Sequence, residues 1–184
     1  HKKGVAVVYV LIGVILIAII VPIISVLPSA RQKERMQMRM IARAAGVSVE
    51  LTSIDDPNPK QDKYIAYTGK PIPAVLKVVA YRLQRERHSD WRRLPKVSWC
   101  RFRDLDNNWH WKSELNEAMN KQLAEWLEDA ACDLPADVVQ IEENSYNISV
   151  YWHESTKGEE QAVLDFLKHS AELSLMEPNP EDLR

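Results

Sequence analysis

Residues 5–27 (VAVVYVLIGVILIAIIVPIISVL) contain no charged side chain, and no other feature limits the fold so strongly. A helix rises about 1.5 Å per residue, so this stretch reaches roughly 34 Å and exceeds the ~30 Å hydrocarbon core of a bilayer. A soluble core helix of that length needs a polar face, and the stretch has none. A cleaved signal peptide has an apolar region of about 7–15 residues followed by a small-residue cleavage site, and Pro28-Ser29-Ala30 is a poor match. The expectation is an uncleaved transmembrane anchor over residues 1–28.

The flanks set the expected orientation. Arg31, Lys33, Arg35, Arg39 and Arg43 follow the span with only Glu34 against them, while Lys2 and Lys3 precede it. Lys/Arg-rich flanks stay on the cytoplasmic side, so the rest of the chain is expected there, in a cell inner membrane crossed once. Residues 29–46 read as a basic juxtamembrane helix with Ser29 as N-cap and Gly46 as its stop. Its five basic residues are candidate contacts to anionic lipid headgroups, worth about 1 kcal/mol each near the surface. A plain stop-transfer cluster that binds nothing specific is the other reading. Cys100 and Cys132, a single pair at this size, read as free thiols of a reducing compartment.

The remaining sequence predicts an α+β fold: a small two-layer domain of antiparallel hairpins packed against two helices, over residues 47–176. An acidic tail, 177–184, follows. Residues 47–54 alternate apolar and polar as a strand does. Residues 64–67 suggest a short strand. Residues 74–83 fit helix or strand, and their β-branched and aromatic content favours strand. Residues 97–103 and 109–112 flank a five-residue turn. Ser113 then introduces a helix over 114–131, with Leu115, Ala118, Met119, Leu123, Trp126, Leu127 and Ala130 as one apolar stripe. A second hairpin, 138–142 with 148–152, turns through 143–147. The last helix starts at Ser155 or Thr156 and runs to about Leu175.

The first hairpin supports a register argument. With Arg103 opposite Trp109 and Arg101 opposite Trp111, alternation places Trp99, Arg101, Arg103, Trp109 and Trp111 on one face. Cys100, Phe102, His110 and Lys112 take the other. An Arg/Trp face allows cation–π stacking and suits a partner-docking surface. It also suits a locally stabilised sheet face covered from within. As a docking face, it predicts that replacing Arg101 or Arg103 barely affects folding.

Charge is segregated along the chain. Residues 82–103 hold eight basic and two acidic side chains, and residues 104–184 hold five basic and 19 acidic. The basic stretch invites a lipid or nucleic-acid reading, but the surrounding acidity would repel a polyanion, so no nucleic acid is expected. No GxSxG, P-loop, GxGxxG or HExxH motif occurs. Cys100 and His110 lack the spacings of a zinc site, and no cofactor, metal or small-molecule substrate is expected.

One anchor, a basic flank and a small domain resemble the accessory subunits of bacterial translocation or respiratory complexes. That resemblance covers only about the first 45 residues and assigns no residue roles. The expected function is a non-catalytic accessory or scaffolding subunit of a larger inner-membrane complex, partnered by other membrane-protein subunits and the bilayer. The alternatives are a membrane-anchored enzyme centred on Cys100, His110 and the acidic hairpin, or a lipid- or nucleic-acid-binding module using residues 82–103.

Overall fold

Helix α1 (Lys2–Val26) is long and apolar enough to cross a membrane, and none of its apolar span is buried within the chain. The computed structural model describes residues 2–87 and 89–177, and the chain divides into two compact units, residues 1–36 and 37–184. The expected acidic tail lies outside the described residues beyond Glu177.

Helix α2 (Ala30–Ala44) starts as its sequence predicts. The Ser29 hydroxyl accepts from the Gln32 amide at 3.3 Å, and the Gln32 side chain accepts from the Ser29 amide at 2.8 Å. This reciprocal pairing satisfies two donors that a helix start leaves open. At the other end Gly46 takes φ +84°, and the Val47 amide closes back on the Ala42 carbonyl at 3.0 Å, a turn that glycine allows without strain. Met38 and Ala42 are buried in the domain core. Residues 37–44 therefore belong to the domain and supply a third helical segment beside the two expected.

Six strands form one antiparallel sheet in the order β1-β2-β6-β5-β3-β4. They are β1 (Ser48–Asp55), β2 (Val75–Gln84), β3 (Trp99–Arg103), β4 (Trp109–Trp111), β5 (Val138–Asn144) and β6 (Asn147–Trp152). Residues 75–84 are a strand, as their composition favours. The β3–β4 register pairs Arg103 with Trp109 and Arg101 with Trp111, as alternation predicts. The β5–β6 hairpin is tighter than expected. Its strands extend to Asn144 and Asn147 around Ser145-Tyr146, both at positive φ (53° and 64°), the two-residue turn whose twist matches paired strands.

Helices α3 (Lys121–Ala130) and α4 (Glu160–Glu172) complete the core. Leu123, Leu127, Val163, Leu164 and Leu167 meet Tyr81, Ile141, Ile148, Val150 and Trp152 there. Leu123 is fully buried, so Leu123→Ala is expected to cost about 3 kcal/mol. Urea unfolding of the full chain in detergent checks this, and a loss under about 1 kcal/mol would place the site outside a tight core.

Three expected elements differ. The helix expected over 114–131 begins only at Lys121. Asn116 turns the chain first, its side chain accepting from the Ala118 amide at 2.9 Å, and Asn120 caps the helix by accepting from the Gln122 amide at 2.9 Å. Asparagine side chains compete with helix hydrogen bonds in this way. Ser113 is not the cap, and Leu115 is exposed.

The short strand expected over 64–67 is instead a 3-10 turn (Asp62–Tyr64) and a single bridge from Ile65 to Pro71. Buried Asp56 gathers this loop, accepting from the Asn58 amide at 2.8 Å, the Gln61 side chain at 3.2 Å and the Tyr64 hydroxyl. Helix α4 spans Glu160–Glu172 rather than starting at Ser155 or Thr156, because Gly158 at φ +93° still belongs to a turn.

Candidate functional site

The Arg/Trp face points inward. The Arg101 guanidinium lies 4.8 Å from the Trp111 ring centre, and that of Arg103 lies 4.7 Å from Trp109. Each arginine then reaches across to the helix layer. Arg101 Nη1 donates to the Leu127 carbonyl at 2.6 Å, and Arg103 donates to the carbonyls of Pro135 (2.9 Å) and Leu134 (3.2 Å). Burial holds both guanidinium pKa values below the ordinary arginine value. Trp99, Arg101 and Arg103 are buried, and only Trp109 and Trp111 are partly open.

Arg101 and Arg103 clasp the β3–β4 hairpin to the chain around the end of α3, and the Trp99 indole is tied to Glu143, which leaves little of this face for a partner. The expectation that Arg101 or Arg103 can be replaced without affecting folding is corrected on the same ground. Alternation tells which side chains share a face, but not which face the helices cover.

The other candidates are distributed as follows. Arg31, Lys33 and Arg43 are exposed and Arg35 is half-buried. Arg39 instead grips buried Glu154, with Nε at 3.1 and 3.0 Å from the two carboxylate oxygens, so it is not open to a lipid headgroup. On the opposite sheet face the Cys100 thiol is pushed up to about 12, by burial first and then by the Glu142 charge. It is protonated at neutral pH and a poor nucleophile. His110 pairs with Asp104 at 2.7 Å within the hairpin turn.

The feature with the chemistry of a recognition site is a groove of about 730 Å³ between α3 and α4. Trp126 and Phe166 stack on its floor with centroids 5.3 Å apart and planes 24° apart, and His169 lies 4.9 Å from Trp126. Asp129, Asp133, Asp165 and Glu172 rim it, with Lys168 the cation of the lining. All four carboxylates sit on exposed residues.

Helix periodicity explains the geometry. Trp126, half-buried, follows buried Leu123 by three residues, and Phe166, itself buried, follows buried Val163 by three, so each ring lies at the edge of its helix's core stripe. The groove forms where the two edges meet. Trp126 was visible in the sequence as part of the stripe, whereas its pairing with Phe166 across 40 residues had no local signal. Compared with protein-family models, curated proteins and solved structures, the chain matches none of them.

Proposed function

We propose that the chain is a non-catalytic accessory subunit of an inner-membrane assembly, anchored by α1, whose domain docks a Lys/Arg-rich segment of a membrane-protein partner in the α3–α4 groove. One observation carries this reading: an aromatic floor of Trp126 and Phe166 is bordered by four exposed carboxylates. A groove between two helices suits an amphipathic helical segment, whose apolar face meets the rings while its cations meet the rim. Such segments are abundant at the cytoplasmic membrane face, because the loops of membrane proteins concentrate Lys and Arg there. The basic stretch after α1 supports the same side for this domain.

The test is co-purification from membranes in mild detergent. Asp129→Asn combined with Asp165→Asn removes two rim charges at exposed positions and is expected to weaken partner recovery while leaving circular dichroism unchanged. Trp126→Ala is expected to cost about 2 kcal/mol of binding, roughly thirtyfold. Full recovery of the same partners by both variants would sink the groove as the docking site. A reporter active only in the cytoplasm, fused after Arg184, checks the topology, and an inactive fusion would overturn it.

A further inference from the structure

A second cavity, of about 670 Å³, lies between the 87–98 loop and the β5–β6 turn, and its lining is the chemical opposite of the groove. Arg87, Arg92 and Lys96 contribute three cations to the wall, Ser98 and Ser145 two hydroxyls, and among the described residues no carboxylate lines it. Glu86 and Asp90 are in the same stretch of sequence but not in the wall. Among the described residues, none of the three cations forms an ion pair, although residues 104–184 hold 19 acids. Pairing among the described residues therefore does not account for the cluster.

The cations also lie against the aromatic part of the cavity. Trp91 meets Tyr146 edge-on with centroids 6.2 Å apart, and the Arg87 guanidinium sits 4.6 Å from Trp91 and 5.8 Å from Tyr146. Arg92 lies 5.5 Å from Trp91. Both ends of the loop are fixed. The Arg85 amide donates to the Tyr146 carbonyl at 2.8 Å, and Val97 and Trp99 are buried at the far end.

We infer that this cavity binds a phosphate monoester, its phosphoryl group held by Arg87, Arg92 and Lys96 and its organic part lying against Trp91 and Tyr146. A phosphoryl dianion offers three oxygens, and guanidinium forks match that geometry through parallel charge-assisted hydrogen bonds. The cavity volume falls within the roughly 300–1,000 Å³ of small-molecule sites, and the aromatic wall supplies apolar area beside the charge. The inference is independent of the α3–α4 groove. The phosphoryl group could belong to a soluble metabolite or to a lipid headgroup, and the experiment separates the two.

Full-length protein in phosphatidylcholine nanodiscs is titrated calorimetrically with phenyl phosphate and, separately, reconstituted in nanodiscs of increasing phosphatidic acid content and followed by the change in intrinsic tryptophan fluorescence. Saturable binding in either arm is expected, the soluble arm identifying a free ligand and the lipid arm a headgroup. Arg87→Gln with Arg92→Gln is expected to weaken binding at least tenfold with the unfolding midpoint unchanged, since both residues are exposed. Lys96→Met, also at an exposed position, provides an independent variant, with a smaller loss expected. Absence of saturation in both arms, or wild-type binding by the double arginine variant, would overturn the inference.

Discussion

Replacing Arg85 with alanine is expected to destabilise the domain by about 3–5 kcal/mol, because it leaves a buried carboxylate without its charge partner. Glu143 is completely buried and Arg85 nearly so. Arg85 Nε and Nη2 meet the two Glu143 oxygens at 2.6 and 2.9 Å, and the Trp99 indole donates to the same carboxylate at 2.9 Å. The remaining donors reach the end of α4, at Ser170 (2.7 Å), Ala171 (3.1 Å) and Leu173. One guanidinium thus neutralises an interior charge and satisfies carbonyls that a helix end leaves open, where a cation is also favoured by the helix dipole.

Urea unfolding of the full chain in detergent measures the loss. A matched pair, Arg85→Met with Glu143→Leu, removes both charges and is expected to recover most of it, since apolar replacement of a buried ion pair is often close to neutral. A single-variant loss below about 1 kcal/mol would show that Glu143 finds water or another partner.

Glu154→Ala is also expected to be damaging, by about 2–4 kcal/mol, because it strands the buried Tyr81 hydroxyl and empties a buried side-chain site. Glu154 is almost fully buried, accepts from Arg39 Nε and from Arg39 Nη2 (2.5 Å), and accepts from the Tyr81 hydroxyl at 2.8 Å. Tyr81 is itself fully buried, with Trp152 edge-on at 5.2 Å. Burial, and then the Glu154 carboxylate, push the Tyr81 hydroxyl pKa far above its ordinary value, so it remains a donor at any physiological pH. Glu154 also sits at φ +51°, a conformation costing a non-glycine residue of order 1 kcal/mol that surrounding contacts must offset.

The distinguishing readout is local. Hydrogen exchange over residues 37–44 is expected to accelerate in Glu154→Ala, because Arg39 loses its hold on the domain core, while amides of β5 slow to exchange in the wild type stay protected. Unchanged exchange over residues 37–44 would mean that Met38 and Ala42 hold the segment by packing alone. Arg39→Ala is expected to cost at least as much as Glu154→Ala, since it leaves the buried Glu154 carboxylate without its cation, whereas the Arg39 guanidinium is partly exposed (21%) and water can solvate it once Glu154 is gone.

These interactions show where sequence reading stops. The α2 boundaries were legible at Ser29 and Gly46, because capping and left-handed termination act within a few residues. The β3–β4 register was legible from alternation around a five-residue turn. Arg85 read as one charge in a basic stretch, and Glu143 as one acid in a hairpin. Their pairing joins positions 58 residues apart, and nothing local marks it. The direction of the Arg/Trp face was not legible for a related reason. Trp99, Arg101 and Arg103 do share a face with Trp109 and Trp111, but the direction of that face depends on where α3 packs.

The candidate sites divide in the same way. The basic character of residues 82–103 and the apolar stripe through Trp126 were visible as composition and periodicity. That the 87–98 loop closes on Tyr146, and that Trp126 stacks on Phe166, follows from the strand order β2-β6-β5-β3 and from the placement of α4 beside α3. By itself the sequence determined the apolar span, the cap and stop of α2, the hairpins and the segregation of charge, since each depends on neighbours a few residues apart. Tertiary structure alone decided which charges are interior, which aromatics meet and which surfaces remain open, because burial and long-range contact belong to the packed chain and not to any one segment of it.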